Sequence, residues 1–530
     1  MGKFINYKMG CTSSTPIHPK QAYDGTKDHA LEANRTASKL TQNLIRENST
    51  SVQVDDVYTV KWGNKDALGS GATSTVRICT HKTNLNVFAL KTIALNRLQK
   101  EEREILRKEV EIMKQLDHPN IIKLIETFHT HACLHIVMEC CSGGELFDRL
   151  VDTKTPHKGR FTEQVAQQYT LQITSSLKYL HDNNIIHRDL KLENFLLTSK
   201  NQETAELKMI DFGMSRHFLE GEKFTQTCGT VYYMAPEVVD RSVPYTEASD
   251  MWSLGVIVYA FLCGSLPFGG FGMRDSEILQ LVMKGKCDMT SSIWKKGNIS
   301  EEAKDFVASL LIYDPTKRMS ATDALKHSFL TNTTTTTTTN QNQNEGKEDK
   351  VENGGQDTSS LPLSALKKFR EYTLFKRAVL SVIAFNLSEN DIQQMKETFS
   401  QFDIEKNGVV KFNEFTKIMH AHGVLKNDEL DQMFQALDVD QTGVIKYSEF
   451  LAACVDEKVY LSEKRMLDAY NTLDVDQTGH LSRDNFRNFV GKDTIDEKMF
   501  NEMFDEIDTA GDGVISLTEF KAMLLKKTTV

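Results

Sequence analysis

Three polar side chains in the first half of the chain are spaced as a phosphoryl-transfer site requires. Asp189 and Asn194 lie in the segment His187–Asn194, and Asp211 opens an Asp-Phe-Gly triplet. Transfer of a phosphoryl group from a nucleotide needs a carboxylate that orients the attacking hydroxyl. It also needs an amide oxygen and a second carboxylate that hold Mg²⁺. Asp189, Asn194 and Asp211 could supply these groups in that order.

A glycine-rich segment upstream could cover the phosphates. In Leu68–Val76 the glycines let backbone amides approach phosphate closely, although Ser74 stands where a third glycine is usual. Fifteen residues after Val76, Lys91 ends the segment Phe88–Lys91 and could reach the α- and β-phosphates. The pattern predicts a hairpin followed by a strand, which together hold the nucleotide.

With these motifs in order, residues 57–330 resemble a complete eukaryotic protein kinase. The resemblance implies an α+β bilobal fold that uses ATP and Mg²⁺. It implies that Lys191 stabilises the transferring phosphoryl and that Glu109 pairs with Lys91. Glu111 is the alternative partner, in a register that is wrong for the family.

The resemblance also assigns a full set of site residues. A pseudokinase would have lost a catalytic lysine or aspartate, and none is lost here. The residues with predicted catalytic roles are Lys91, Glu109, Asp189, Lys191, Asn194 and Asp211. The residues predicted to surround the nucleotide are Leu68, Gly69, Ser70, Gly71, Ala72, Val76, Ala89, Lys91, Met138, Glu139, Glu145, Asn194 and Asp211.

Two acidic residues bear on substrate choice. Resemblance to basic-directed kinases implies that Glu145 and Glu193 contact an arginine three residues before the target serine or threonine. The alternative is that Glu145 serves only the ribose of the nucleotide.

A second chemistry, calcium binding, is predicted near the C-terminus. Four loops begin at Asp403, Asp438, Asp474 and Asp508, spaced 35, 36 and 34 residues apart, and each follows an apolar helical pattern. Calcium takes oxygen from loop positions 1, 3, 5 and 7 and a bidentate carboxylate at position 12. The repeat predicts an all-α calmodulin-like domain of four EF-hands in two pairs. The predicted ligands are Asp403, Glu405, Asn407, Val409 and Glu414; Asp438, Asp440, Thr442, Val444 and Glu449; Asp474, Asp476 and Thr478; and Asp508, Asp512, Val514 and Glu519.

The four loops meet these demands unequally. The second is complete, whereas Glu405 in the first is one methylene longer than the usual aspartate. The third has Asn485 at position 12 and loses the bidentate clamp, so a helix-pairing scaffold without metal is its alternative. The fourth has Ala510 at position 3, where water could replace the missing ligand, and a metal-free loop is again the alternative. Ligand counting predicts that affinity falls in the order second, first, fourth, third.

Charge and cysteine content narrow the class of protein. The net charge is −10, but residues 388–530 hold 28 acidic and 16 basic residues, which leaves +2 for the first 387. The acidity therefore belongs to the calcium loops, and nothing suggests nucleic-acid binding. Nine cysteines without paired spacing predict a reducing compartment without disulfides or zinc. The sequence contains no run of about 18 apolar residues, so no membrane-spanning helix is predicted.

Composition divides the chain into five segments. Residues 1–56 are polar and predicted to be disordered, and residues 57–330 are the kinase-like domain. Residues 331–360, with seven consecutive threonines, predict a linker. Residues 361–387 predict one basic amphipathic helix, and residues 388–530 are the calmodulin-like domain.

In this order the segments resemble the calcium-dependent protein kinases of plants and protists. The resemblance implies a calcium-activated serine/threonine kinase, monomeric, whose junction helix at 361–387 blocks it at rest. Calcium-loaded EF-hands expose an apolar groove, and a tethered basic helix is a suitable ligand for it. Arg370 precedes Thr373 by three residues, which predicts either a pseudosubstrate or autophosphorylation site, or only a solvated charged face.

The N-terminus holds one further pattern. Met9–Ser14 fits an acylation signal in which Gly10 and Cys11 would carry two lipid chains if translation starts at Met9. The alternative is an accidental match in a polar tail. We therefore expect a cytoplasmic protein, attached to membranes only if that signal is used.

Overall fold

A computed structural model of the chain describes residues 45–48, 52–71, 73–152, 159–201, 204–218, 224, 228–240, 242–270, 272–290, 294, 299–332, 363–424, 426–476, 478–490 and 497–526. The described part contains a two-lobed domain, two junction helices and four helix-loop-helix units. This confirms the predicted fold class, an α+β bilobal kinase fold followed by an all-α calmodulin-like domain. Residues 333–360 of the predicted linker lie outside the described residues.

The first lobe is built on a seven-stranded sheet. The strands lie in the order β1-β6-β7-β5-β4-β2, with β3 paired to β4. Only the pair of β1 and β6 is parallel. Strand β7 is a nearly continuous apolar run and is buried, as a central strand covered on both faces requires. The strands are β1 (Arg46–Asn48), β2 (Tyr58–Val60), β3 (Ala67–Ser70), β4 (Ser74–His81), β5 (Val87–Ala94), β6 (Leu124–His129) and β7 (Cys133–Glu139).

The prediction that residues 1–56 are disordered is wrong for two segments. Arg46–Asn48 extends the sheet, and Val54–Val57 is a short helix. Val54 and Tyr58 are buried in a small cluster on one face of the sheet. The strand pairs with β6, where Arg46 faces Glu126, so its hydrogen bonds come from a distant part of the chain that no local pattern reveals. Residues 1–44 and 49–51 lie outside the described residues, and with them Gly10 and Cys11.

Helices form most of the second lobe. The helix Ala248–Cys263 is buried over almost its whole length, because it is apolar on all sides and lies at the centre of the lobe. The catalytic segment after residue 186 runs between two short strand pairs, Ile185–Ile186 with Arg216–His217 and Phe195–Leu197 with Leu207–Met209. The helices of both lobes are Lys100–Gln115, Leu146–Val151, Glu163–Asp182, Pro236–Val239, Ala248–Cys263, Asp275–Lys284, Glu301–Leu310, Ala321–Ala324 and Ser328–Thr331.

The junction consists of two helices, not one. Leu363–Glu371 and Leu374–Phe385 are separated at residues 372 and 373. The predicted single helix over 361–387 is therefore wrong in its continuity. Thr373 causes the second start, because its hydroxyl accepts a hydrogen bond from the backbone N–H of Lys376 at 3.3 Å.

Four EF-hands follow in two pairs. In each pair the loops are joined by a short antiparallel ladder, Val409–Lys411 with Val444–Lys446 and Leu481–Ser482 with Val514–Ile515. Nowhere in the described ranges is a helix both long and apolar enough to cross a membrane. The helices of this domain are Glu389–Phe402, Phe412–Ala421, Asn427–Leu437, Tyr447–Cys454, Glu457–Tyr460, Glu463–Leu473, Arg483–Val490, Glu497–Ile507 and Leu517–Leu525.

The calmodulin-like domain encloses the junction. Phe369 and Phe375 are each 1% exposed. The ring of Phe375 lies 4.3 Å from that of Phe486. The ammonium of Lys376 donates to the carbonyl of Leu524 at 2.9 Å, which satisfies a buried cation at the end of the last helix.

The same domain also rests on the kinase. The Asp117 carboxylate accepts hydrogen bonds from the backbone N–H and hydroxyl of Ser448, at 3.1 and 2.6 Å. A Cβ on Gly408 would lie 2.1 Å from the His118 ring, so this calcium-loop glycine must stay a glycine. Burial lowers the pKa of His118 to about 3, which keeps the ring neutral at this contact.

Candidate active site and calcium loops

The strand lysine and the helix glutamate meet in the cleft. The ammonium of Lys91 lies 2.9 Å from Glu109 Oε1. Glu111, the alternative partner, instead pairs with Lys114 at 3.0 Å. Glu109, and not Glu111, is therefore the partner of Lys91.

The glycine-rich hairpin lies on one side of this ion pair, and the hinge between the lobes, which begins at Met138 and Glu139, lies on the other. Val76 faces Lys91 across β4 and β5, and Ala89 faces Met138 across β5 and β7. Leu68, Gly69 and Ser70 lie in β3, and Gly71 follows it; Ala72 lies outside the described residues.

Glu139 lies beside Met138 at the end of β7. Its carboxylate pairs with Lys208 at 3.0 Å and accepts the backbone N–H of Lys123 at 2.7 Å. The residue also lines a cavity of about 310 Å³ between the kinase and the calmodulin-like domain. Its contact with a nucleotide stays a prediction.

Asp189 is held in place by three neighbours. Its carboxylate accepts from the Thr230 hydroxyl at 2.8 Å and from Lys191 at 2.5 Å, and its carbonyl accepts from the Asn194 amide at 2.8 Å. A carboxylate fixed in this way can orient a hydroxyl without having to reorganise first. Lys191 also lies 3.3 Å from Thr230, so the lysine and the carboxylate share one face of the loop.

Asp250 orders the catalytic loop, and the sequence analysis missed it. It accepts from the backbone N–H groups of His187 and Arg188, both at 2.9 Å. Arg188 has φ of 68°, a left-handed conformation that these bonds help to maintain. Asp250 is 1% exposed and lies about sixty residues away in sequence, so only a tertiary contact reveals its role.

Asp211 stands beside the Lys91–Glu109 pair. Its carboxylate accepts the backbone N–H of Gly213 at 3.0 Å. A Cβ at Gly213 would approach Asp211 Oδ1 to 3.2 Å and Glu109 Oε2 to 3.4 Å, which shows how close the two carboxylates lie. Two carboxylates beside one lysine form a setting that suits Mg²⁺ and phosphate.

Glu145 and Glu193 form a small acidic group. Burial raises the pKa of both carboxyls, and Glu193 raises that of Glu145 further. Glu193 Oε2 is buried and has no hydrogen-bond partner within the part of the chain that the structure describes. A buried oxygen without a donor is costly and suits a cation that arrives from outside.

The second calcium loop brings its acidic ligands together. Oxygen atoms of Asp438, Asp440 and Glu449 lie within 4.8 Å of one another. Burial, and then Asp440, raises the pKa of Glu449 well above its ordinary value, as expected for carboxylates gathered around a cation site. Asp440 Oδ1 is buried without a partner among the described residues. These residues fit Ca²⁺.

The first loop has the same shape. Asp403 accepts the backbone N–H groups of Asn407 and Gly408 at 3.0 and 2.9 Å, and Glu414 accepts that of Glu405 at 2.8 Å. Burial raises the pKa of Asp403 to about 6. The Glu405 side chain turns to Lys411 at 2.6 Å, so the longer acid is engaged outside the ligand set.

The third and fourth loops are weaker candidates. In the third, the Asn485 amide donates to Asp476 at 3.2 Å, which places a donor where the clamp is needed and favours the scaffold interpretation. Its first residue, Asp474, still accepts the backbone N–H of Thr478 at 3.0 Å. In the fourth, Glu519 accepts the backbone N–H of Ala510 at 2.9 Å.

The remaining ligands of the fourth loop keep a binding-compatible shape. Asp508 accepts the backbone N–H of Asp512 at 3.2 Å, and Asp512 accepts that of Val514 at 3.1 Å. Position 3 supplies no side-chain oxygen, so water has to complete any calcium site there.

Comparison with known proteins gives two family matches. Residues 62–330 match the protein kinase domain, and residues 392–455 and 463–525 each match the EF-hand domain pair.

Three relatives match this chain over most of its length. The chain is 37% identical over 466 residues to calcium-dependent protein kinase 29 of Arabidopsis thaliana, which covers 87% of this chain and 82% of the relative. It is 34% identical over 486 residues to calcium-dependent protein kinase 3 of Plasmodium berghei (strain Anka), covering 89% and 81%. Calcium-dependent protein kinase 21 of Arabidopsis thaliana is 32% identical over 533 residues, covering 97% and 94%.

Proposed function

The chain belongs to the calcium-dependent protein kinases, and we propose that its junction restrains the kinase until calcium lets the sensor, residues 388–530, enclose the junction. The activity of the chain is calcium-activated transfer of the γ-phosphate of ATP to serine or threonine in proteins. The burial of Leu366, Phe369 and Phe375 in the sensor, none more than 1% exposed, supports the capture step most directly. An apolar surface that is buried in the sensor cannot hold the kinase at the same time.

Each polar residue of the cleft has a proposed task. Asp189 orients the substrate hydroxyl and receives its proton, while Lys191 stabilises the charge on the phosphoryl oxygens. Asn194 and Asp211 hold Mg²⁺, which supplies charge neutralisation to the phosphates when it is bound. Lys91, fixed by Glu109 at 2.9 Å, positions the α- and β-phosphates.

We assign calcium sensing chiefly to the first pair of hands. The close carboxylates of the second loop support this assignment, as does the first loop, in which Asp403 accepts the backbone N–H of Gly408. The third loop is proposed as a scaffold, because its Asn485 offers a donor where calcium needs a clamp. The fourth is an intermediate case.

Substrates are proposed to carry a basic residue before the target. Glu193 Oε2 is buried and has no hydrogen-bond partner among the described residues, and Glu145 lies nearby. Both support recognition of a guanidinium, which donates in a planar fork that suits carboxylates. Location and assembly follow only from sequence. We propose a cytoplasmic monomer, with membrane attachment through Gly10 and Cys11 if translation begins at Met9.

One assay tests the coupling of the two halves. Phosphate transfer to an arginine-containing peptide is measured with calcium and with chelator for the full-length wild type, Asp189→Asn and Glu449→Gln. We expect calcium to stimulate the wild type and Asp189→Asn to lose about 10²–10⁴-fold in either buffer. Glu449→Gln removes half of the bidentate clamp, so its stimulation is expected only at higher calcium.

Exposed Glu302→Gln serves as the control and should behave as the wild type. Equal wild-type turnover with calcium and with chelator would show that the sensor does not govern the kinase.

A further inference from the structure

The first and second calcium loops share an unusual residue. Position 9 is Lys411 in the first loop and Lys446 in the second, whereas the third and fourth loops have Ser482 and Ser516 there. Position 9 normally contributes oxygen to calcium, often through a water. An ammonium has no lone pair and cannot contribute any.

Lys446 points into the ligand set of its own loop. Its ammonium lies 2.5 Å from Oδ2 of Asp440, the position-3 ligand, and the two side chains are only 1% and 4% exposed. The other two acids of the cluster, Asp438 and Glu449, have oxygen atoms within 4.8 Å of Asp440. The lysine therefore contacts the carboxylate that calcium also requires at position 3.

We propose that Lys446 is a tethered competitor of calcium in the second loop. A monovalent ammonium and a divalent ion cannot both lie against Asp440, because they repel each other at close range in a buried site. Calcium must displace the lysine from a buried ion pair, and the divalent ion replaces its charge. The second loop consequently binds calcium more weakly than its ligands alone predict. This inference rests on the proposed calcium site in that loop.

The first loop provides an internal contrast. Lys411 lies 2.6 Å from Glu405, but both side chains are 43% exposed. An exposed pair contributes little and the lysine can leave freely into water. Lys411 therefore competes only weakly with calcium. Ligand counting predicts a higher calcium affinity for the second loop than for the first, and we expect this difference to become smaller or to change sign.

The position of Lys446 links this competition to the kinase. Ser448, two residues further along, donates two hydrogen bonds to the Asp117 carboxylate of the kinase, from its backbone N–H and its hydroxyl. Exchange of lysine for calcium thus takes place next to the contact between the two halves. The strength of the Lys446–Asp440 ion pair therefore helps to set the calcium concentration at which the charge beside the Ser448–Asp117 contact changes.

Calorimetric calcium titration of the full-length protein tests the proposal, with wild type, Lys446→Met and Lys446→Ser. Methionine removes the positive charge and adds no oxygen. Serine removes the charge and also adds a hydroxyl oxygen that could bind calcium. We expect each variant to bind about tenfold more tightly at one site than the wild type does. Tightening in Lys446→Ser alone would mean that a new ligand, not a lost competitor, was responsible, and would overturn the proposal.

Two matched variants complete the design. Ser516→Lys, which places a lysine at position 9 of the fourth loop, is expected to weaken that site, and Lys411→Met is expected to change affinity by less than Lys446→Met. Amine labelling of wild-type Lys446, read by mass spectrometry, covers the case in which a variant fails to fold. We expect faster labelling in calcium than in chelator, and equal rates would contradict displacement.

Stoichiometry separates this inference from the function on which it rests. If Glu449→Gln lowers the number of bound ions but Lys446→Met leaves affinity unchanged, the competitor idea fails while the calcium site stands. If Glu449→Gln leaves both stoichiometry and affinity unchanged, the second loop binds no calcium and both fail.

Discussion

At the scale of single residues, the Glu193 carboxylate is the clearest unsatisfied group of the cleft. Its Oε2 is buried without a partner in the described ranges, and burial raises the pKa of its carboxyl. Desolvation of this kind is unfavourable for the free protein. A substrate guanidinium can supply the missing hydrogen-bond donors, whereas a peptide without that group leaves the oxygen unpaired. The enzyme therefore prefers the peptide with the guanidinium.

Replacing Glu193 should reduce activity selectively on peptides that carry the upstream arginine. Glu193→Gln should lower kcat/KM for a peptide with arginine three residues before the target by about ten- to a hundredfold, the range of a lost charged hydrogen bond. A peptide with alanine at that position should be affected little. Steady-state kinetics on the two peptides measure the ratio, with exposed Glu302→Gln as the control variant. Equal losses on both peptides would assign Glu193 a role in the chemistry instead.

The raised pKa of Glu193 gives this preference a pH dependence. A carboxyl with a raised pKa begins to take up a proton at a higher pH than an ordinary glutamic acid does. The neutral form binds arginine less well, so the preference for arginine weakens as the pH falls. The pH profile of the kcat/KM ratio for the two peptides reports it, because kcat/KM follows ionisation in the free enzyme. A ratio that stays flat on the acid side would speak against a charged Glu193.

At the scale of secondary-structure elements, the two junction helices are the part that the sensor encloses. The ring of Phe375 lies 4.3 Å from that of Phe486 and 6.4 Å from that of Phe520. This residue therefore anchors the second helix in the last pair of hands. Lys367 of the first helix, by contrast, is 46% exposed and lies 3.5 Å from Glu429, a surface pair of small energetic weight.

The element-scale prediction compares these two residues. Phe375→Ala removes a buried ring at a cost of about 3–5 kcal/mol, which weakens capture of the junction by the sensor. Activation should then need more calcium and reach a lower maximum. Lys367→Ala should shift the calcium midpoint little. Calcium titrations of peptide phosphorylation measure both, and circular dichroism checks folding. If Phe375→Ala were activated as fully as the wild type, the buried ring would not be the anchor.

Some elements could be predicted from sequence and others could not. Kinase motifs and calcium loops are local patterns, so the sequence and the family resemblance that it carries predict Lys91, Asp189, Asp211 and the four loops. Thr373 is a residue type that often caps a helix, but it lies within an apolar pattern of helical spacing. That pattern predicts one continuous helix where the structure has two. Strand β1 and Asp250 depend on partners far away in sequence, so local reasoning had no signal for them.

At the scale of the whole molecule, the kinase and sensor are joined by several separate contacts. Lys396 pairs with Glu206 at 2.9 Å, and the Arg46 guanidinium donates to the carbonyl of Thr472 at 3.2 Å. Lys123 lies over the ring of Phe385, 3.7 Å from its centroid, at the end of the junction. Lys123 and Phe385 both line the cavity beside Glu139, so the end of the junction lies next to the hinge of the kinase.

The contact between Asp117 and Ser448 connects the second calcium loop directly to the kinase. Asp117 is 8% exposed, and burial raises the pKa of its carboxyl despite the two hydrogen bonds from Ser448. We expect Asp117→Asn and Ser448→Ala each to lower calcium-stimulated turnover, while the double variant loses no more than the worse single one. Residues of one hydrogen-bonded pair show such non-additivity, with coupling of about 0.5–3 kcal/mol. The cycle is measured as calcium-stimulated kcat/KM, with hydrogen exchange of the segment after His118 as a second readout that reports docking without chemistry. Strictly additive losses, or unchanged exchange in Ser448→Ala, would mean that the sensor rests on the kinase without passing calcium occupancy through this pair.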